Sequence, residues 1–362
     1  MASIIIADKT RHYDGTYLET RALGGTESSV IQLARELARR RHEVTVYTHC
    51  DGPIEHEGVL WKPLSGPRPE SCDLYIAVHQ PELLGFVKRP RRRAIWVIWP
   101  VNQLKHYKKI WRAWWYRPVP VLASLHQARM YSPFLPHRDP HIVIPLGLPD
   151  DVRGHPPLHN APPRRAIFTS RPTLNLRGLV EIWAHRILPR VRDAVLDVYG
   201  VHDLQPGQEA WDAWEGSFLP AGAAPEVKRS VQVHPSVSRK ALIEANRASR
   251  VLLYLGHKAE AFCLAVAEAQ ALGVPAVVGP VAAMPERVID GVTGFHHADP
   301  QRFADAAVSI LTDDALWRRQ HEAALRHQQG ISWSEQAGRL EAALLGDRIA
   351  LYRSVLDVPD RG

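Results

Sequence analysis

A strand–helix–strand pattern occurs twice in the sequence, once in each half. In the first half, an apolar run at 4–7 precedes a helix with an apolar stripe over 30–38, and another apolar run follows at 42–48. In the second half, runs at 166–169 and 194–200 flank a further helical segment. Helices between consecutive strands are typical of parallel sheets with right-handed crossovers. The sequence therefore predicts an α/β chain with two doubly wound, Rossmann-like domains that face each other across a cleft.

A polar, proline-rich segment separates the two patterns. It covers 149–164 and contains the run DVRGHPPLHNAPPR, a composition typical of a connection between domains. We therefore expect an N-terminal domain over 1–148, a linker over 149–164 and a C-terminal domain over 165–334. The remaining segment, 335–362, contains the apolar stripe of one more helix.

The composition excludes several classes of protein. With 45% hydrophobic and 23% charged residues, the 362-residue chain is typical of soluble globular proteins, and no apolar run approaches the length of a membrane span. The net charge of +7 favours anionic partners such as nucleotides or acidic lipids. Nucleic acid is not expected, because no nucleic-acid-binding motif is present. The three cysteines are too far apart for a zinc site or a disulfide framework, so we expect a cytoplasmic protein.

The stretch EAFCLAVAEAQALGVPAVV places two carboxylates, Glu260 and Glu268, among apolar and small residues. A buried carboxylate is costly unless hydrogen bonds compensate it. A helix that starts near Phe262 would offer free N–H groups and a positive dipole end to a phosphate. Glu268 lies about two turns further along the helix and needs hydroxyl donors, for which a ribose is suited.

Two arginines follow a predicted strand of the same domain. Arg171 and Arg177 flank the loop between that strand and the next helix, and guanidinium groups bind phosphate oxygens bidentately while remaining charged. The sequence contains no Asp-x-Asp triplet suited to a divalent ion beside a diphosphate. We therefore predict the departure of a nucleoside diphosphate, assisted by electrostatics, without a metal or a cofactor.

Five segments of the chain match the pattern of one known family in order. They are GGTESSVIQLARELARRRHEVTVYT from Gly24, IPLGL from Ile144, SRPTLNLRGL from Ser170, the paired-glutamate stretch from Glu260 and MPERVIDGVTGF from Met284. Together they resemble the retaining glycosyltransferases of family 4, which have the GT-B fold. The paired-glutamate stretch, similar to E-G-F-G-L-x-x-x-E in that family, is the most specific of the five.

The resemblance implies a role for each matched residue. Glu268 should bind the donor ribose, and Glu260 should contact the transferred sugar near its anomeric carbon. Arg171 and Arg177 should hold the diphosphate and, with Glu260, form the catalytic set. The other implied donor-binding residues are Gly24 and Gly25 of the N-terminal domain and Ala261, Phe262, Cys263 and Leu264. The family transfers sugar with retention and without metal, and its final helix crosses back to the N-terminal domain.

The sequence also departs from the family pattern. Ala261 and Cys263 stand where the family usually has glycines, and Arg177 stands where it has lysine. Members often have a histidine just after a strand of the N-terminal domain, and no single residue here takes that place unambiguously. The acceptor-side candidates are His79, Asn102 and His106.

The densest basic and aromatic region covers 88–93 and 105–118. One interpretation is a solvated face above a tryptophan core. The alternative is an acceptor-binding lip at an anionic membrane surface, since helical spacing groups the cations on one face and the indoles on the next. The cations are Lys105, Lys108, Lys109 and Arg112, and the indoles are Trp111, Trp114 and Trp115.

We predict an enzyme that moves a sugar from a nucleotide sugar to a glycan, lipid-linked or other hydroxyl acceptor, in bacterial surface glycan synthesis. Two alternatives remain open. One is a sugar-nucleotide epimerase of the same fold, and the other is a non-catalytic subunit that only binds a partner. The intact pair Glu260 and Glu268, together with both arginines, favours an enzyme.

Overall fold

The protein forms two compact units in the computed structural model. The residues it describes are 1–20, 23–101, 107–136, 142–199, 215–219, 222–328 and 331–346. The first unit comprises Met1–Pro149 together with Ile331–Gly362, and the second comprises Asp150–Gly330. The segment predicted as a linker therefore belongs to the second unit from Asp150 onward.

A mainly parallel sheet forms the centre of the first unit. Its strands are β1 (Ser3–Ala7), β2 (Glu43–Thr48), β3 (Ile54–His56), β4 (Val59–Pro63), β5 (Ser71–Val78), β6 (Arg89–Val97), β7 (Val119–Leu122) and β8 (Ile142–Val143). The order across the sheet is β3-β4-β2-β1-β5-β6-β7-β8, and only β3 and β4 pair antiparallel. The central strands β1 and β5 are apolar without alternation because both of their faces are covered.

Helices follow the strands of the first unit as the sequence predicts. They are α1 (Tyr17–Thr20), α2 (Gly25–Arg39), α3 (Tyr107–Tyr116) and α4 (Leu125–Met130). The apolar stripe of α2 is buried, including Val30, Leu33 and Leu37. The stripe over 30–38 is therefore confirmed as the core-facing side of this helix.

The second unit is a smaller parallel sheet with its own helices. Its strands are β9 (Arg165–Phe168), β10 (Val195–Val198), β11 (Val231–Val233), β12 (Val251–Tyr254), β13 (Ala276–Val278) and β14 (Gly294–His296). Its helices are α5 (Leu176–Ile182), α6 (Pro225–Ser230), α7 (Arg239–Arg247), α8 (Leu264–Ala271), α9 (Met284–Arg287), α10 (Pro300–Thr312) and α11 (Asp314–Gln328). The strand order is β11-β10-β9-β12-β13-β14.

The strand order changes direction once in each sheet. In the first unit, the chain passes from β1 to β2 on one side and later returns to β5 on the other side of β1. In the second unit, β10 and β12 likewise lie on opposite sides of β9. In doubly wound sheets, ligands bind beyond the carboxyl ends of the strands at such switch points. The loops after β1, β5, β9 and β12 are therefore where a site is expected.

The last helix, α12 (Trp333–Leu345), belongs to the first unit. The N–H of Leu148 donates to the carbonyl of Ile331 at 2.7 Å, and Arg40 Nε lies 2.6 Å from Glu341 Oε2. A Cβ atom at Gly147 would lie 2.6 Å from the Cα atom of Trp333. The two chain segments therefore approach too closely for any residue but glycine.

Two expectations are wrong. Strand β6 begins at Arg89, so the basic run 88–93 lies at the amino end of the sheet, opposite the edge where the switch point opens. The run therefore does not form a lip at the site. Helix α8 begins at Leu264 rather than near Phe262. Among the helices that the structure describes, none is long and apolar enough to span a membrane.

Candidate functional site

Glu260 lies in the loop after β12, beside the switch point of the second unit. The hydroxyl of Tyr254, the last residue of β12, donates to Glu260 Oε1. Burial raises the pKa of Glu260, whereas the Tyr254 hydrogen bond and the charges of His257 and Arg171 oppose that rise. Tyr254 was not among the predicted site residues, because a tyrosine at the end of a strand usually belongs to the hydrophobic core.

The two predicted arginines occupy different positions. Arg171 follows β9 on the other side of the switch point, and its charge acts on Glu260. Arg177 lies in the first turn of α5, where its side chain is 70% exposed and its Nε lies 3.4 Å from Glu181 Oε1. Of the two, Arg171 is therefore the one whose charge acts on Glu260.

The segment from Ala261 to Leu264 leads into α8. Ala261, Phe262 and Cys263 are buried, and Leu264 is partly exposed. Cys263 precedes the helix with a φ of 67°, a left-handed conformation, which explains why a glycine suits this position.

A buried cation lies beneath the start of α8. The guanidinium of Arg287 lies 4.2 Å from the ring centroid of Phe262, and burial lowers the pKa of Arg287 to about 10. A cation at this place favours an anion at the nearby helix N-terminus. Arg287 was not among the predicted site residues, although it lies within the matched segment MPERVIDGVTGF.

Glu268 is already paired with a side chain of its own unit. Arg239 Nη2 lies 3.2 Å from Glu268 Oε1 and 2.9 Å from Asp151 Oδ1, and Arg239 Nε also donates to Asp151 Oδ2. Burial raises the pKa of Glu268, the charge of Arg239 opposes that rise, and the charge of Asp151 adds to it. The acid in the apolar helix therefore has an arginine as its partner, which the sequence did not reveal.

The glycine pair lies at the start of α2, after β1. Gly24 caps the helix in an extended conformation. Glu27 is only 4% exposed, and its Oε2 lies 2.5 Å from where a Cβ of Gly24 would be. A carboxylate from the first turn therefore lies beside this helix N-terminus, and any anion bound there has to approach it.

His79 lies directly after β5, across the switch point from the glycine pair. Its side chain is buried and its φ is 27°. The ring of Trp99 lies over it, with centroids 4.0 Å apart, and Trp99 Nε1 donates to Thr26 Oγ1 at 3.0 Å. The structure thus brings His79 and the glycine loop together through Trp99. The other two acceptor-side candidates, Asn102 and His106, lie outside the described residues.

The indoles of α3 lie at the surface. Trp111, Trp114 and Trp115 are 53%, 49% and 76% exposed, so the interpretation of a tryptophan core is wrong. Trp114 Nε1 donates to the carbonyl of Phe134 at 2.8 Å, and Phe134 is itself 75% exposed. Arg112 lies over the ring of Trp111. Lys105 lies outside the described residues, as do the side chains of Lys108 and Lys109.

One group of possible metal ligands occurs in the described part of the chain. Glu19, His56 and Glu57 lie close together in the first unit. However, Arg35 Nε is 2.7 Å from Glu57 Oε2, and His56 lies on the edge strand β3, which β4 and β2 separate from β1. This group is therefore not part of the candidate site.

Family models match both units of the chain. The model for glycosyltransferase family 4 matches residues 23–140, and the model for glycosyl transferases group 1 matches residues 223–327. The first match includes the glycine pair and His79. The second includes both glutamates and Arg239.

Known proteins resemble this chain in sequence or in fold. The D-inositol 3-phosphate glycosyltransferase of Thermobifida fusca is 33% identical over 133 residues, which cover 36% of this chain and 30% of that protein. The matched segment thus spans about a third of that curated relative. The sucrose-phosphate synthase of Thermosynechococcus elongatus has a TM-score of 0.70 at 15% identity, covering 96% of this chain and 100% of that one.

A second solved structure shows the same architecture. Anabaena HepE, in a complex with UDP-glucose, has a TM-score of 0.70 at 14% identity, over 95% of this chain and 100% of that chain. At these identities the likeness concerns the fold, and the expectation of two doubly wound parallel sheets is confirmed. With both family models matched in chain order, one on each unit, this chain belongs to the family 4 type of glycosyltransferases with the GT-B fold.

Proposed function

We propose that the protein transfers a sugar from a nucleotide-diphosphate sugar to a hydroxyl acceptor, with retention and without a metal. The observation that carries this proposal is the group of Glu260, Tyr254 and Arg171 at the switch point of the second sheet. A carboxylate oriented by a hydrogen bond and acted on by a cation supports a site for the sugar and its leaving phosphate. Anabaena HepE, a fold relative solved in a complex with UDP-glucose, supports a nucleotide sugar as donor.

The reaction separates the anomeric carbon from the diphosphate oxygen. The charge that develops on the leaving diphosphate would be stabilised by Arg171, Arg177, the N–H groups at the start of α8 and the buried cation of Arg287. The acceptor oxygen bonds to the same face of the sugar, and its proton passes to the departing diphosphate. Glu260 would contact the sugar near the anomeric carbon, and Glu268 would accept hydrogen bonds from the ribose.

On the side of the first unit, we assign His79 to the acceptor or to the transferred sugar. It is buried, lies at the carboxyl end of a central strand, and has a positive φ. Strained backbone at a non-glycine residue is concentrated at functional sites. Gly24 and Gly25, close to the carboxylate of Glu27, are the further donor-binding residues that we propose.

The exposed indoles of α3 support contact with a membrane surface, and hence a lipid-linked acceptor. Tryptophan is favoured at membrane interfaces, and flanking cations attract anionic lipids. The chain carries a net charge of +7. We propose a cytoplasmic protein that associates peripherally with the inner face of a membrane during surface glycan synthesis.

The decisive experiment incubates the purified protein with UDP-glucose and GDP-mannose, with and without EDTA. Slow release of free sugar and nucleoside diphosphate, unchanged by EDTA, is the expected result. An isomerised sugar on an intact nucleotide would indicate an epimerase. Activity that EDTA abolishes and magnesium restores would contradict the metal-free mechanism, and the absence of both binding and hydrolysis would favour a non-catalytic subunit.

A further inference from the structure

One arginine holds two carboxylates in the second unit. Arg239 is the first residue of α7, where Ser238 caps the helix by accepting from the N–H of Ala241. Its Nε and Nη2 both contact Asp151, and Nη2 also lies 3.2 Å from Glu268 Oε1. The fork of a guanidinium can hold two carboxylates at fixed angles, which a lysine cannot do.

The charges in this cluster do not cancel. One cation faces two anions, and Glu268 is 23% exposed while Arg239 and Asp151 are 41% and 44% exposed. Glu268 Oε2 has no hydrogen-bond donor within the described part of the chain. The cluster therefore carries an excess negative charge and leaves one carboxylate oxygen without a protein donor among the described residues, and both features suit hydroxyl groups and not phosphate.

The second carboxylate, Asp151, comes from a one-turn helix, Asp150–Val152, at the start of the second unit. Arg239 and Glu268 come from two separate helices, α7 and α8. The cluster thus joins three segments that are far apart in sequence, and its geometry is set by packing rather than by a local motif.

We propose that Arg239, itself oriented by Asp151, is the positioning residue that holds Glu268 ionised and turned toward the nucleotide. This inference rests on the proposed role of Glu268 in binding the donor ribose. Arg239 holds Oε1 and leaves Oε2 for the ribose hydroxyls. An ionised carboxylate accepts hydrogen bonds at both oxygens, whereas a protonated one loses part of that capacity.

The electrostatic setting makes the proposal testable by pH. Burial raises the pKa of Glu268 and the charge of Asp151 adds to that rise, while the charge and hydrogen bond of Arg239 act against it. Without the cation, Glu268 will remain protonated to a higher pH. The resulting loss of nucleotide affinity therefore has to depend on pH, which a merely structural role of Arg239 would not produce.

The experiment measures the dissociation constant of UDP by calorimetry between pH 6 and pH 9 for the parent, Arg239→Gln, Arg239→Lys and Glu268→Gln. We expect Arg239→Gln to bind at least tenfold more weakly than the parent at pH 6, with a loss that shrinks as the pH rises. Arg239→Lys keeps the charge and should show a smaller loss with little pH dependence. Glu268→Gln should bind weakly at every pH.

Asp151→Asn is the matched control for orientation. It removes a hydrogen-bond acceptor of Arg239 but also a negative charge near Glu268, so we expect a few-fold loss of affinity without pH dependence. The positioning role is wrong in either of two cases, provided that Glu268→Gln binds UDP weakly. In one case Arg239→Gln binds UDP as tightly as the parent, and in the other its loss of affinity is equal at every pH. If Glu268→Gln itself binds as tightly as the parent, the proposed ribose contact fails instead. Should Arg239→Gln not fold, Arg239→Lys and Asp151→Asn still test the proposal.

Discussion

The ring of Trp99 stacks on the imidazole of His79, with ring centroids 4.0 Å apart and planes inclined by 32°. The carbonyl of Trp99 accepts from Gln127 Nε2 at 2.7 Å, and its indole N–H donates to Thr26. Trp99 is thus fixed on two sides while 37% of it remains exposed. A side chain so placed can orient His79 and the glycine loop together.

Substitutions of Trp99 should reduce transfer. Trp99→Phe keeps a ring over His79 but loses the hydrogen bond to Thr26, so we expect about a tenfold loss of kcat, the effect of one hydrogen bond. Trp99→Leu removes both contacts and should lower kcat about a hundredfold. Thr26→Val is the control, and it should reproduce the effect of Trp99→Phe. Steady-state transfer assays and UDP calorimetry distinguish these outcomes, and a Trp99→Leu variant with parental kcat would contradict the role.

Tyr254→Phe should move the acid limb of the activity profile to higher pH. The Tyr254 hydrogen bond opposes the rise that burial causes in the pKa of Glu260, so its loss lets the pKa rise further. We expect turnover to fall about tenfold near pH 6, the effect of about 1.4 kcal/mol, and to recover toward pH 9. Glu260→Gln, measured beside it, should be inactive at every pH.

Tyr254→Phe should also lower the thermal stability of the protein by an amount that depends on pH. A carboxyl group whose folded-state pKa is raised binds more protons in the folded than in the unfolded protein, so its contribution to stability is lost as pH rises through the folded pKa. Tyr254→Phe should therefore lower the melting temperature more at pH 8 than at pH 5. An equal decrease at both values would mean that Glu260 is not ionising at this site.

The two arginines should differ in their effect on turnover. Arg171→Ala removes the cation that acts on Glu260 and should cut kcat about a hundredfold, as the loss of a transition-state donor does. Arg177 is 70% exposed and pairs with Glu181, so Arg177→Ala should lower kcat about tenfold. Glu181→Ala controls for the loss of that ion pair. A larger loss at Arg177 than at Arg171 would reverse the assignment.

The exposed indoles should bind anionic membranes in a salt-dependent manner. Each cation near an anionic surface contributes about 1 kcal/mol, and the tryptophans add interfacial burial. We expect cosedimentation with phosphatidylglycerol vesicles at low salt that falls steeply as salt is added. Two variants should lose vesicle binding while donor hydrolysis is unchanged. One has glutamine at Lys105, Lys108, Lys109 and Arg112, and the other has serine at Trp114 and Trp115. A parent protein that stays in the supernatant at low salt would rule out the membrane contact.

Cys263→Gly should be more stable than Cys263→Ala. Both substitutions lose the buried sulfur, but only glycine relieves the left-handed φ of 67°. The left-handed conformation costs a non-glycine residue about 1–2 kcal/mol, and the greater freedom of glycine in the unfolded chain offsets part of that. Urea unfolding should show a difference of about 1 kcal/mol in favour of glycine. Alanine at least as stable as glycine would mean that the loop before α8 relaxes.

The sequence by itself determined the doubly wound fold and indicated the residues that we expect to bind its ligands. Apolar runs and the helical stripe over 30–38 have periods that only strands and an amphipathic helix satisfy, so β1, α2 and β2 follow directly. The paired glutamates could be singled out because an acid in an apolar segment violates the usual pattern. The boundary of α8 was misjudged because the left-handed conformation of Cys263 leaves no trace in residue type.

Only the tertiary structure decided which residues meet. Trp99 and His79 come from the ends of two neighbouring strands, and Arg239 reaches Glu268 from a separate helix. Sequence periodicity reports which face of an element is buried, but it carries no information on which side chains of distant elements come within hydrogen-bond distance. The exposure of the α3 indoles likewise depended on packing, since their spacing fits a core as well as a surface.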